Sequence, residues 1–170
     1  VVHACWAPLA IGLLQPRLAQ GKFITPDLLV RASRKKTKEY EAVEVLLKGK
    51  EIKVPDDGYF HDEDGHKRHH IRIKWWEKEG TYRSLSMGPE TEIPEDRVDV
   101  DHLITYSHLA PPVFVGHYWL HGTPEPLADN VACLDYSVAK VGGKLVAYRW
   151  KGESTLVREN FVAVDRVEPC

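Results

Sequence analysis

The chain has 170 residues, 43% of them hydrophobic, and its 23 Lys and Arg residues are nearly balanced by 25 Asp and Glu residues. That length and apolar content predict one domain built around one core. The balanced charge gives no indication of nucleic acid or of an anionic membrane surface as a partner. No run of the sequence approaches the roughly 20 apolar residues that a membrane-spanning helix needs.

The N-terminus shows neither a basic region nor a small-residue cleavage site, so the sequence predicts a cytoplasmic protein. The three cysteines, Cys5, Cys133 and Cys170, are odd in number and widely scattered, which indicates reduced thiols rather than a disulfide framework. Residues 1–6 are typical of a buried strand, with no turn before it. We therefore expect the sequence to begin in the middle of a fold.

Two helical regions follow the opening strand. Apolar residues recur at helical spacing over residues 7–18, and Pro16 is expected to end or kink that helix. Thr25 is an N-cap residue followed by a proline and an aspartate, and Gly49 lies where a C-terminal cap would fall. The pattern predicts helix across much of residues 26–48.

The middle of the chain differs in character. Residues 51–54 suit a strand, residues 55–58 a turn, and residues 59–70 form a polar run. Alternation over residues 70–75 places apolar side chains on one face of a strand and basic side chains on the other: Ile71, Ile73 and Trp75 against His70, Arg72 and Lys74. We expect residues 50–98 to form an exposed hairpin insertion.

The final third consists of strands separated by loops that contain Gly or Pro. The four strand-like segments are residues 112–116, 131–134, 144–150 and 160–164. Several of them are apolar on both faces, as central strands are. This pattern predicts a layered α/β protein rather than a sheet with one face in water.

Two histidines each follow a short apolar strand. The strand at residues 113–115 leads through Gly116 into His117, and the first residues of the chain lead into His3 in the same way. A neutral imidazole at a strand end is a common ligand for Zn, Mn or Fe. Taken alone, each histidine fits a hydrogen-bonded structural residue better.

Three segments occur in a recognisable order: Val2-His3-Ala4, then V-F-V-G-H at residues 113–117, then N-V-A-C-L-D at residues 130–135 with G-G-K-L-V-A at residues 142–147. They resemble the V-H-A-G, strand-G-H and closing N-x-A-C-L-D and G-G-K-L-x-A motifs of the calcineurin-like metallophosphoesterases. The resemblance is to the bacterial branch that includes diadenosine tetraphosphatases and serine/threonine phosphatase-like enzymes.

The resemblance implies that the chain is the C-terminal part of such an enzyme. Its fold would be the second half of a layered α/β/β/α sandwich, and residues 50–98 would be an insertion that covers the site like a lid. His3 and His117 would bind the same ion of a two-metal site of Mn, Fe or Zn, which hydrolyses a phosphorylated protein, a nucleotide or another phosphoester.

The family's remaining ligands come from N-terminal D-x-H, G-D-x-x-D and G-N-H motifs, and none of these precedes His3. We therefore expect this chain alone to bind metal weakly and to be inactive. It would pair with the N-terminal half of the same fold or with itself. The alternatives are a degenerate, non-catalytic module that binds a partner, and a single-metal structural site.

Four further residues are candidates for the site. Arg68 and Arg72, on the insertion, are candidates for binding substrate phosphate, with a solvated strand face as the alternative. Asp135 could orient a ligand histidine. His121 invites comparison with G-H-x-H motifs, but its spacing from His117 is wrong, and the alternative is a loop histidine in water.

Other patterns favour structural interpretations. The acidic and histidine-rich run at residues 61–70 suggests calcium or zinc, although a hairpin turn at Asp64-Gly65 is the simpler explanation. Trp75 and Trp76 follow basic residues, a pattern that can indicate base stacking, but packing is the better prediction. Cys133, inside an apolar strand, is predicted to be a small buried residue.

Overall fold

The computed structural model describes residues 3–18, 23–62, 64–88 and 92–167. Those residues form a mixed α/β protein with small sheets, which confirms the α/β class expected from the sequence. Of the strand predicted over residues 1–6, residues 3–6 do not form a strand, and Val1 and Val2 lie outside the described residues, as does the third cysteine, Cys170. None of the helices in these four ranges is long and apolar enough to cross a membrane.

The first helix, α1, spans Pro8–Leu14 and continues into a 3₁₀ turn at Gln15–Arg17. Pro8 occupies the first turn, where its missing N–H costs nothing. Pro16 lies inside the 3₁₀ turn, and helical backbone ends one residue after it, as predicted. The chain therefore turns away from α1 where the proline is placed.

The predicted helix over residues 26–48 is divided into two, α2 (Pro26–Ala32) and α3 (Lys38–Lys48). Thr25 caps α2, since its side chain accepts a hydrogen bond from the N–H of Leu28. Thr37 caps α3 by accepting from the N–H of Tyr40, and its hydroxyl also bonds to Arg34 O. Lys36 has a φ of 70°, so the chain leaves helical geometry just before the second cap.

Residues 50–98, which the sequence predicts to be an insertion, contain the hairpin and further elements. Strand β1 (Glu51–Lys53) pairs antiparallel with β4 (His70–Arg72), and β2 (Phe60–His61) pairs with β3 (Lys67–Arg68) to form the hairpin. A short helix, α4 (Tyr82–Leu85), follows. These elements enclose a hydrophobic cluster, the insertion core, made of Ile52, Val54, Phe60, Ile71, Ile73, Leu85, Ile93 and Val98.

A second cluster, the main core, lies around two parallel strands, β5 (Val113–Val115) and β6 (Val131–Cys133). Every residue of β6 is buried, as expected for an interior strand. The members of the main core are Ala4, Cys5, Ala7, Trp75, Val113, Val115, Tyr118, Val131 and Cys133. Trp75 Nε1 and Tyr118 Oη both donate to Ala4 O, at 3.0 and 2.9 Å.

The last part of the chain is an antiparallel sheet of three strands. Strand β8 (Lys144–Tyr148) lies between β7 (Asp135–Tyr136) and β9 (Phe161–Asp165). In β8, Val146 is buried between exposed residues, Leu145 and Ala147, whereas every residue of β6 is buried. The expectation of strands that are apolar and covered on both faces is therefore met by β6 but not by β8 or β9.

Candidate metal centre

His3 and His117 lie side by side in space. Their ring centroids are 5.3 Å apart, with the ring planes inclined at 55°. The backbone fixes this approach, because the N–H of Gly116 donates to His3 O at 2.7 Å and the N–H of Ala4 donates to Leu46 O at 3.0 Å. The two histidines predicted from separate strand ends thus meet at one edge of the main core.

Backbone strain marks the loop after β5. His117 has a φ of 70° and Trp119 a φ of 48°, both in the left-handed region that residues other than glycine rarely occupy. Such conformations cost about 1–3 kcal/mol each and persist where surrounding contacts hold them. Tyr118, between the two, is buried and bonded to Ala4 O, so the loop is anchored at its centre.

Asp135 supplies several of the contacts that hold this loop. Its carboxylate accepts hydrogen bonds from the N–H of Trp119 at 3.4 Å and from the N–H of Ser137 at 3.2 Å. Its backbone carbonyl accepts from the N–H of Leu120 at 2.9 Å. Asp135 was predicted to orient a ligand histidine, and these contacts place it beside the His117 loop, bonded to main chain.

Electrostatics favour the uncharged form of His117. Burial lowers the pKa of this imidazole, and the nearby charges of Arg72, His3 and Lys48 lower it further. Asp135 opposes the shift, because its carboxylate stabilises the imidazolium. A neutral imidazole is the form that binds a metal ion, so this environment suits a ligand.

The two arginines predicted to bind phosphate have different surroundings. Arg72 is close enough to His117 for its charge to lower that residue's pKa. Its Nε is buried without a hydrogen-bond partner, and its Nη2 makes one long contact, 3.4 Å, to Glu51 Oε1. Arg68 donates from Nε to Asp62 at 2.7 Å and belongs to the hairpin. Arg72 is therefore the arginine with unused hydrogen-bonding capacity beside the histidine pair.

A group of exposed ligating side chains lies elsewhere, in the hairpin turn. In the described ranges, the set of three or more side chains whose ligand atoms lie within 4.8 Å of one another is Asp62, Asp64 and His66. The Asp62 carboxylate accepts from the N–H groups of Asp64 and His66, which are ordinary turn hydrogen bonds, as well as from Arg68. The hairpin interpretation accounts for all of these contacts.

The histidine pair fits part of a metal site. Two imidazoles supply half of a four-ligand shell. Asp135 is adjacent, yet it does not join His3 and His117 in a three-residue cluster by the same 4.8 Å criterion within the described residues. His121 is exposed in the loop beyond them, as its alternative interpretation proposed. The pair therefore requires further ligands to enclose an ion.

Trp119 was not among the candidate residues predicted from sequence. Its ring centroid is 5.7 Å from that of His117, and 55% of the residue is exposed. The sequence feature that could have marked Trp119 as a site residue is its position two residues after His117. Trp75, predicted to pack rather than to stack on bases, is fully buried in the main core, and Trp76 packs against it.

No protein-family model, curated protein or solved structure matches this chain.

Proposed function

We propose that this chain is part of a metal-dependent phosphoester hydrolase, in which His3 and His117 bind one ion of a two-metal centre. The observation that carries the proposal is the apposition of the two imidazoles, 5.3 Å between centroids. The three sequence segments at residues 2–4, 113–117 and 130–147 also occur in the same order as the matching motifs of the calcineurin-like metallophosphoesterases. The fold proposed for the assembled protein is the layered α/β/β/α sandwich of that family.

In this proposal the two histidines bind metal and Arg72 binds substrate. Mn, Fe or Zn ions in such a centre activate water and stabilise charge on phosphoryl oxygens. His117, held neutral by burial and nearby cations, offers a lone pair. Arg72 offers N–H groups to a phosphate, which would satisfy its buried Nε. Asp135 would hold the loop that carries His117 by accepting a hydrogen bond from the N–H of Trp119.

The chain by itself is proposed to be inactive, because two imidazoles without further carboxylates do not enclose two ions. Pairing with the N-terminal half of the same fold would supply those ligands. Substrates would be a phosphorylated protein or a nucleotide, and the compartment the cytoplasm. Cys5 and Cys133 are free and buried, in keeping with a reducing location.

Metal titration tests the proposal. We expect the purified chain to bind Mn²⁺ weakly, and we expect His3→Ala or His117→Ala to weaken that binding by about tenfold or more, since each removes a ligand. Binding would be followed by calorimetry or by Mn²⁺ electron paramagnetic resonance. His121→Ala is the matched control, because His121 is an exposed histidine of the same loop region.

Two results would contradict the proposal. Tight stoichiometric zinc binding that survives both His3→Ala and His117→Ala would place the metal elsewhere and would exclude the phosphoesterase assignment. Hydrolysis of a phosphoester by the rigorously purified chain would show that it is not inactive alone.

A second candidate function, partner binding without catalysis, is favoured by an apolar surface on the last sheet. Leu145 lies opposite Val164, and Ala147 opposite Val162, so the four side chains share one face. Leu145 and Val164 are 64% and 61% exposed. We call this set the β8–β9 face. It offers a surface to a second copy of the chain or to the N-terminal half of the fold.

A further inference from the structure

An aromatic surface lies next to the histidine pair. The Trp119 indole is 5.7 Å from the His117 ring, and His117 is in turn 5.3 Å from His3. Trp119 is 55% exposed, so its ring is accessible to a ligand. A ligand whose phosphate lies at the histidines would therefore have a flat apolar surface within reach.

The loop geometry keeps this surface turned outward. Tyr118 is anchored inward through its hydroxyl on Ala4 O, and the left-handed backbone on either side sends His117 and Trp119 away from the core. Asp135 fixes the second of these turns by accepting from the N–H of Trp119. These contacts offset the conformational free energy of the two left-handed residues, and they orient His117 and Trp119 together.

A flexible side chain lies over the indole ring. The ammonium of Lys140 lies 5.4 Å from the Trp119 ring centroid, and Lys140 is itself exposed. Exposed cation–π contacts of this kind are weak, about 0.5–1 kcal/mol, and a lysine can move aside. The displaced ammonium would stay near any negative charge on the ligand.

We propose that Trp119 is a specificity residue that stacks on a planar ring in the leaving group of a phosphoester. The phosphate would lie toward His3, His117 and Arg72, so the inference rests on the proposed function for the placement of the phosphate. A nucleobase and an aryl ring share this chemistry. Stacking on an aromatic side chain is worth about 1–3 kcal/mol per base, enough to discriminate ligands.

The contribution of the ring to binding can be measured with pairs of ligands that differ in the ring. Adenosine 5′-monophosphate and ribose 5-phosphate carry the same sugar and phosphate and differ in the base; phenyl phosphate and methyl phosphate make the same comparison for an aryl ring. We expect the ligand with the ring to bind the chain more tightly in each pair that fits the site. Trp119→Ala should remove that preference, an effect of about five- to hundredfold, while ribose 5-phosphate binding stays unchanged.

Indole N–H resonances provide a readout that does not require activity. The chain has five tryptophans, and Trp119→Phe identifies the Trp119 signal by its disappearance. We expect adenosine 5′-monophosphate or phenyl phosphate to shift that signal, and Trp119→Phe to retain the preference for a ring that Trp119→Ala loses. Trp150 is the matched control, because it is also 55% exposed but belongs to the loop after β8.

The outcomes separate this inference from the proposed function. Equal shifts at Trp119 and Trp150, or equal loss of ring and ringless ligands in a folded Trp119→Ala variant, would overturn the role of Trp119 and leave the phosphoester proposal standing. A ring-specific shift at Trp119 without any phosphate dependence would support the stacking surface and count against the phosphoester site.

Discussion

At the scale of single residues, Glu153 shows how local hydrogen bonds determine a charge state. Its carboxylate accepts from Tyr148 Oη at 2.8 Å, Asn160 Nδ2 at 2.9 Å and the N–H of Lys151 at 2.8 Å. Burial alone would raise the pKa of this carboxyl, but the hydrogen bonds outweigh it and lower the pKa from 4.5 to about 2. The ionised form therefore stabilises the turn between β8 and β9.

This pKa predicts a pH-dependent stability. Because the folded pKa is lower than the unfolded one, the contribution of Glu153 is complete above pH 4.5 and is lost as the pH falls toward 2. We expect Glu153→Gln to destabilise the chain at pH 7 and to differ less from the wild type at pH 3. Urea unfolding at both values measures the difference. Glu159→Gln, at an exposed site, should show no such change.

The sequence was informative about residues that belong to local motifs. His3 and His117 were predicted as partners because the motifs occur in order, and the structure brings their rings together. Arg72 and Arg68 were indistinguishable in sequence, since their difference arises from a hairpin contact to Asp62. Trp119 was missed because its exposure depends on a left-handed backbone, which a tryptophan does not signal.

At the scale of elements, the region between Thr25 and Gly49 forms two helices where the sequence predicted one helical region. Apolar spacing and the two end signals were consistent with one helix, but Thr37 is a second cap within it. Threonine competes for backbone hydrogen bonds, which makes it a better cap than an interior residue. The break lets α2 and α3 pack against each other instead of extending as one rod.

Removing the second cap should destabilise the chain. In Thr37→Ala, the N–H of Tyr40 loses its partner and the hydroxyl bonds to Arg31 O and Arg34 O disappear. We expect a loss of about 1 kcal/mol in the free energy of unfolding, measured by denaturant titration. Thr37→Ser retains the cap and should cost much less; an equal loss in both variants would count against the capping role.

At the scale of the whole molecule, the described residues form two hydrophobic clusters where composition predicted one core. Strand β6 and the burial of Ile71, Ile73 and Trp75 were identifiable from apolar pattern alone, although the strand predicted over residues 70–75 ends at Arg72. The division between clusters was not, because neighbouring positions of one short segment serve both: Ile71 and Ile73 belong to the insertion core, whereas Trp75, in the turn after β4, belongs to the main core. Such sharing depends on tertiary packing.

The β8–β9 face predicts association. We expect the chain to form dimers or larger species as its concentration rises, because apolar strand faces in water favour mutual burial. Leu145→Lys with Val164→Lys should shift the chain toward monomer in sedimentation velocity. Val141→Lys, at a position that is 77% exposed but off this face, is the control. A monomeric wild type at all soluble concentrations would contradict a self-associating surface.

Arg72 lies between the insertion core and the histidine pair beside the main core. It is the last residue of β4, whose Ile71 lies in the insertion core, yet its charge acts on His117 beside the main core. An anion that binds Arg72 and the histidine pair would bridge two separately packed parts of the chain. Thermodynamic linkage then requires that the anion stabilise the insertion and that a well-folded insertion tighten anion binding by the same factor. Ligand affinity and the folding of residues far from the histidines would be one coupled equilibrium.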